Sequence, residues 1–393
     1  MDIDLAPLRE FLGQEGLDGY LIEADGEDSD QRYVSGFDAP DPFWTLVTPG
    51  QTLVLVSELE YGRARRAARA DRVARHSDFD FQERIADRGS HEGRLDGLAT
   101  FLEDEAVAAI GVPTDFPVGS ADGLRERGIG VTVETGDIIG AIRAVKHPVE
   151  IEHIREAQRA NEAAMRTAES LLATASVRDG TLYSEGEPLT SERITAAIEA
   201  TLLEHRCALD ETIVAAGADG ADPHDRGSGP IPADEPVVVD IFPRHKETHY
   251  FADMTRTFVR GTPAPAVIER YQVIESALEA ALETIEAGVE GRTVHDAACD
   301  VFEAAGYETL RSDPATETGF IHGTGHGVGL DIHESPRLAP AGEELEAGHV
   351  VTVEPGLYDP AVGGIRLEEL VVVRADGYEL LSDYPMELTP ATR

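Results

Sequence analysis

From its start to about Ala144, the chain alternates short apolar runs with stretches whose apolar residues recur every three or four positions. Tyr20-Leu-Ile, Thr52-Leu-Val-Leu-Val, Ala108-Ala-Ile-Gly-Val and Val131-Thr-Val read as strands, and Leu5–Leu12 and Arg94–Leu102 as amphipathic helices. This predicts a small α/β domain over residues 1–144. The pattern changes at Lys146-His147-Pro148, where Pro148 suits a first helical turn with Glu150 and Glu152 close behind it. A long helix to about Ala175 is expected. Gly180–Pro188 is Gly-rich and acidic and reads as a loop, and Ser191–His205 returns to helical spacing. Strands are expected at Glu211–Ala215 and Val237–Phe242, then an extended segment at Tyr250–Phe258. Helices at about Ala266–Ile285 and Val294–Ala305 lead to a Gly/His-rich loop and to strands at Val350–Glu354 and Ile365–Val373. The second domain would span 145–393, since 393 residues exceed one ordinary domain.

Composition adds one unusual property. Asp and Glu total 75 against 33 Lys and Arg, a formal charge of −42, while the 41% of hydrophobic residues argues for folded cores rather than disorder. Lysine occurs only at Lys146 and Lys246. Such a surface suits a protein working in concentrated salt, where screening removes its self-repulsion. The charge argues against nucleic acid as a partner, because phosphate binding needs a basic face. Cys207 and Cys299 lie far apart and argue against a disulfide framework. No signal-peptide pattern or membrane-length apolar run is present, so a cytoplasmic protein is expected, away from membranes.

Four carboxylates sit where carboxylates are costly. Asp240 lies inside the apolar run Val237-Val-Val-Asp-Ile-Phe242, and burying a lone carboxylate there would cost several kcal/mol without a partner. In Phe251-Ala-Asp-Met-Thr-Arg-Thr-Phe258, a period of two puts Asp253, Thr255 and Thr257 on one face and Arg256 on the other. Pro243–Thr248 is short enough to close an antiparallel hairpin that converges the two aspartates. Glu354 ends the run Val350-Val-Thr-Val-Glu, and Glu368 interrupts Ile365-Arg-Leu-Glu-Glu-Leu-Val-Val-Val373, sharing a face with Arg366 rather than with Glu369. Each acid alone reads most simply as a buried salt bridge. Four together would repel strongly with few bases nearby, and divalent cations would balance them.

Histidines supply the rest. Ile321-His-Gly-Thr-Gly-His-Gly-Val-Gly-Leu-Asp-Ile-His-Glu-Ser-Pro336 carries His322, His326 and His333 among glycines that permit close backbone approach. It contains no complete G-x-G-x-x-G and no H-E-x-x-H, so neither a dinucleotide loop nor a single-zinc protease motif is present.

Val239-Asp-Ile, Ala252-Asp-Met-Thr-Arg, the His322–Pro336 segment, Thr352-Val-Glu-Pro-Gly and Gly364-Ile-Arg-Leu-Glu, in this order, resemble the creatinase/aminopeptidase family with the pita-bread fold. Within it the similarity is greatest to Xaa-Pro dipeptidases and Xaa-Pro aminopeptidases, and it covers about Ile142 to the end of the sequence. The resemblance implies an α/β (α+β) protein: a C-terminal pita-bread catalytic domain preceded by a smaller creatinase-like α/β domain. It implies that Asp240, Asp253, His326, Glu354 and Glu368 hold two divalent metal ions, with Asp253 and Glu368 touching both. His322 and His333 match flanking histidines that bind substrate and handle protons, His224 in Asp222-Pro-His matches a further substrate-side histidine, and Arg366 would orient or balance the site.

That ligand set carries −4, balancing two divalent ions, and its oxygen-rich character favours manganese or cobalt, with iron or zinc as alternatives. The implied reaction is hydrolysis of the Xaa-Pro bond of a dipeptide or short peptide by a metal-bridging hydroxide. Glu354 would accept and return the proton, and His333 or His224 would assist the oxyanion and the leaving nitrogen. A homodimer is the family's usual state. Methionine-type aminopeptidases share the ligands but usually lack the first domain, and creatine-type amidinohydrolases share both domains without the ligands. A binding protein that retains the fold without catalysis is the rival from another class.

Overall fold

The computed structural model describes residues 3–392. The chain parts into two compact units between Arg143 and Ala144.

The first unit is built on six strands: β1 (Gly19–Ala24), β2 (Phe43–Val47), β3 (Thr52–Val56), β4 (Arg72–Arg75), β5 (Ala109–Val112) and β6 (Gly130–Val133). Their order is β4-β3-β2-β1-β5-β6, antiparallel across β1–β2 and β2–β3 and parallel elsewhere. β2 has no counterpart in the periodicity reading. All five of its residues are buried, as are those of β3. Trp44 in β2, the chain's single tryptophan, is 2% exposed and packs with Leu21, Leu46, Leu53, Leu98 and Phe101.

The second unit opens with the helix Pro148–Thr174, whose first turn is fixed by Pro148 and by the His147 backbone N–H donating to Glu150 at 2.8 Å. Ile154, Ala157, Ala164, Ala168 and Leu172 form its buried stripe. Its Ala164, Ala168 and Leu172 belong to a core with Val239, Ile241, Met254 and Phe258 of the next sheet. That sheet comprises β7 (Thr212–Ala216), β8 (Pro236–Ile241) and β9 (Met254–Val259), in that order and antiparallel throughout. The expected loop at Gly180–Pro188 is instead part of a small sheet of Ser176–Arg178, Thr181–Ser184 and Glu187–Pro188. Its turn residues are real turns, with Asp179, Gly180, Glu185 and Gly186 all at positive φ, but they join paired strands.

The remaining strands are β10 (Gly325–Gly327), β11 (Glu334–Leu338), β12 (Val350–Val353), β13 (Gly356–Asp359), β14 (Gly363–Arg366), β15 (Glu369–Arg374) and β16 (Gly377–Leu380). Five form a sheet in the order β11-β10-β12-β15-β16, and β13 pairs with β14. The helices Pro265–Thr284 and Gly291–Ala304 cover Val351, Val353, Val371 and Val373 of the larger sheet with Ile274, Leu278, Val294 and Phe302. Ile365–Val373 is therefore two strands rather than one. The ladder breaks at Leu367 and Glu368, where the Glu368 N–H leaves for the Thr255 carbonyl at 3.2 Å, and the facing chain breaks at Glu354-Pro355. Among the described residues, no helix is long and apolar enough to cross a membrane.

Candidate metal centre

Asp240 and Thr255 are directly paired across β8 and β9, so their side chains leave the same face of the sheet. On that face the Thr255 hydroxyl donates to Glu368 at 2.9 Å and the Thr257 hydroxyl to the Arg366 carbonyl at 2.9 Å. Arg256 points the other way and donates to Glu369 at 2.8 Å. The strand period thus sorts Glu368 inward and Glu369 outward. The breaks at Glu354-Pro355 and Leu367-Glu368 free both glutamates from a regular ladder exactly where the two sheets face the aspartates.

His326 is placed by β10, which packs so closely on β12 that a Cβ at Gly325 would lie 2.0 Å from the Thr352 carbonyl oxygen. The imidazole Nδ1 donates to the Gly327 carbonyl at 3.1 Å, which leaves Nε2 with only a lone pair. Nε2 lies 3.7 Å from Asp253 Oδ2 and 3.4 Å from Glu354 Oε1. Candidate ligand atoms of Asp253, His326 and Glu368 lie within 4.8 Å of one another. Glu354 adjoins this trio through His326. Asp240 is oriented by Arg366, whose Nη2 donates to Oδ2 at 2.6 Å, while Asp240 Oδ1 is buried with no hydrogen-bond partner.

The electrostatics follow from burial. Desolvation, then Glu368, Asp240 and Glu354 in turn, push the Asp253 carboxyl well above the usual range. Burial does the same to Glu368, reinforced by Glu354 and Asp240. Glu354 is pushed up to about 7, mainly by burial with Arg366 opposing, although 19% of its side chain remains open to the cleft. Burial holds His326 down to about 3, hence neutral. Acceptor atoms converge here on acceptor atoms, and one buried aspartate oxygen is unsatisfied. Hard divalent cations fit such a donor set.

Beside this cluster a short relay fixes a second histidine. Arg366 Nη1 donates to the Tyr358 hydroxyl at 2.9 Å, and that hydroxyl lies 2.8 Å from His322 Nε2. Because His322 Nδ1 donates to the Gly323 carbonyl at 2.6 Å, Tyr358 is the donor to Nε2. Burial drives His322 down to about 3 and Tyr358 up to about 12. Tyr358 was not legible as a site residue. The available signal was a tyrosine four residues beyond Glu354 in an apolar strand, where a buried hydroxyl needs a partner.

His333 is exposed and packs edge-on against the His326 ring, with centroids 4.3 Å apart. His224 is exposed on the loop after β7, where its backbone N–H donates to Asp222 at 3.1 Å. Asp240, Asp253, His326, Glu354, Glu368, His322, His333, His224 and Arg366 all line one cleft of about 820 Å³. Pro243–Thr248 does connect β8 to the Asp253 segment, but its Arg244–His245 also pairs with Cys207–Ala208, so the hairpin tip is tied to a neighbour. Both cysteines are free and buried.

Comparison with known proteins agrees with this architecture. Residues 152–375 match the profile of Metallopeptidase family M24, and residues 5–145 match the Creatinase/Prolidase N-terminal domain. The chain is 27% identical over 388 residues to the Xaa-Pro dipeptidase of Pyrococcus horikoshii, covering 96% of each. The prolidase from Pyrococcus furiosus superposes with a TM-score of 0.77 at 25% identity, covering 96% of this chain and 99% of that one. The X-Pro aminopeptidase from Thermotoga maritima superposes at 0.79 with 25% identity, covering 95% and 97%. The fold is the expected one: a creatinase-like N-terminal α/β domain followed by a pita-bread domain.

Proposed function

The chain belongs to metallopeptidase family M24, and from that membership we propose that it hydrolyses the Xaa-Pro bond of dipeptides or short peptides. The observation that carries the reading is the buried meeting of acceptor atoms around Asp253, His326, Glu354 and Glu368, which calls for cations. Asp240, Asp253, His326, Glu354 and Glu368 would hold two divalent ions, manganese or cobalt before iron or zinc. When bound, such ions supply Lewis acidity at the scissile carbonyl and make water a competent nucleophile at neutral pH.

The chain's own residues divide the remaining work. Glu354, with 19% of its side chain open to the cleft, would take up the proton of the attacking water and return it to the leaving nitrogen. Arg366 fixes the rotamer of Asp240 and keeps Tyr358 donating to His322, so that His322 faces the substrate as a neutral ring. His333 and His224, both at the solvent side of the cleft, orient the peptide and donate to its carbonyl oxygen. The first domain, residues 1–144, is assigned a supporting role, with catalysis in 145–393. A homodimer working in a salt-rich cytoplasm completes the reading, in keeping with the charge of −42.

The test is hydrolysis of an Xaa-Pro dipeptide and a matched Xaa-Pro-Xaa tripeptide in high salt, with manganese or cobalt added and then chelated. Metal-dependent cleavage before proline is expected, and the preferred length separates dipeptidase from aminopeptidase. Metal binding without cleavage of either peptide would refute the proline specificity.

A further inference from the structure

Lys146, one of only two lysines in the chain, lies buried in the second unit, with 1% of its side chain exposed. Its Nζ is 2.7 Å from Glu334 Oε2, and the Glu334 side chain is itself 6% exposed. Glu334 directly follows His333. Its other oxygen, Oε1, accepts the backbone N–H of Asp331 at 3.1 Å. Gly329 presses against the same carboxylate so closely that a Cβ there would lie 2.4 Å from Oε2. The Gly329 carbonyl in turn accepts the N–H of Phe251, two residues before Asp253, at 2.8 Å. Lys146 is anchored as well, its backbone N–H donating to the Gly348 carbonyl at 3.0 Å, just ahead of β12, which Glu354 directly follows.

A cation is therefore planted beneath the loop 328–333, which starts two residues after His326 and ends at His333. Exposed ion pairs contribute little, but a buried pair with both oxygens engaged fixes geometry, because any displacement strands a charge in protein. We infer that Lys146 is a positioning residue: through Glu334 it fixes the loop that presents His333 to the substrate cleft. His333 is exposed and, among the described residues, is held by an edge-on ring contact with His326, so the backbone beneath it sets its place. The role given to His333 rests on the function proposed above; the clamp does not.

The test combines an exchange measurement with a double-mutant cycle. In Lys146→Met, hydrogen exchange at the Asp331 amide should accelerate about tenfold or more, with the rest of the second unit unchanged. Bound metal should stay stoichiometric. Turnover of an Xaa-Pro dipeptide should fall about 10- to 100-fold in kcat with KM little changed. Lys146→Met/His333→Ala should be no slower than His333→Ala, because both remove the same interaction. Lys146→Met/Glu334→Gln leaves no orphaned charge and keeps the inference testable if the single variant does not fold. The inference is overturned by unchanged exchange at Asp331, by metal loss that explains the activity loss, or by additive effects of the Lys146 and His333 changes. An inactive wild type would refute the proposed function alone, since the exchange measurement judges the clamp without substrate.

Discussion

At the scale of single residues, the clustered carboxylates differ in access: 19% of the Glu354 side chain is open to the cleft, while Asp253 and Glu368 are buried. Glu354→Gln should keep the far-ultraviolet circular dichroism spectrum and lower kcat by about 10²-fold or more, the usual scale for a lost general acid–base group. Wild-type turnover in that variant would remove Glu354 from the proposed role. Tyr358→Phe should lower kcat/KM about 10- to 100-fold, since His322 loses its donor and Arg366 an acceptor. Away from the site, Asp30 is raised to about 6 by burial despite Arg143 at 2.7 Å. The unfolded chain releases that proton near 3.8. Asp30 thus costs no stability below that value, a growing amount up to about 6, and a constant amount above. Asp30→Asn should gain on the wild type as pH rises through this window, by about 3 kcal/mol at most, read from denaturation midpoints in molar salt. Carboxylates placed in apolar runs were plain in the sequence because each breaks a local rule. Tyr358 and the Lys146–Glu334 pair break none, and only folding brings their partners near.

At the scale of elements, strand period and strand interruption together build the centre. The alternation in Phe251–Phe258 told which side Asp253 and Thr255 share, since a pleat fixes it without knowledge of the partner strand. The break at Leu367-Glu368 was hidden, because Ile365–Val373 is apolar enough on both sides to read as continuous. Its cause is the transfer of one chain between two partner strands, a non-local event. The β10–β12 contact makes a sharp prediction: Gly325→Ala must push β10 from Thr352, carrying His326 away from Glu354. That variant should lose bound metal and melt at lower temperature, with metal analysis and calorimetry as the checks. Full metal occupancy with an unchanged melting point would show that the strands can separate without disturbing the ligands.

At the scale of the whole molecule, charge governs the conditions under which these elements persist. A formal charge of −42 on 393 residues repels itself in dilute buffer, so the unfolding midpoint should climb steadily from dilute to molar potassium chloride. A flat response would show that the acidic surface needs no screening. The proposed metal ligands all lie in the second unit, so chelation should lower the melting temperature, and restoring manganese should recover it. Two domains were readable from the change of pattern at Lys146, whereas β2 was not read as a strand. The placement of Trp44 within β2 also decides what an optical experiment can see. Fluorescence excited at the red edge of protein absorption comes from this indole alone, so it follows the N-terminal unit and is blind to the half that holds the carboxylates. An emission-based melting curve would report the surroundings of Trp44, and tyrosine dichroism, with Tyr358 hydrogen-bonded beside the carboxylates, is the signal that would report loss of the centre.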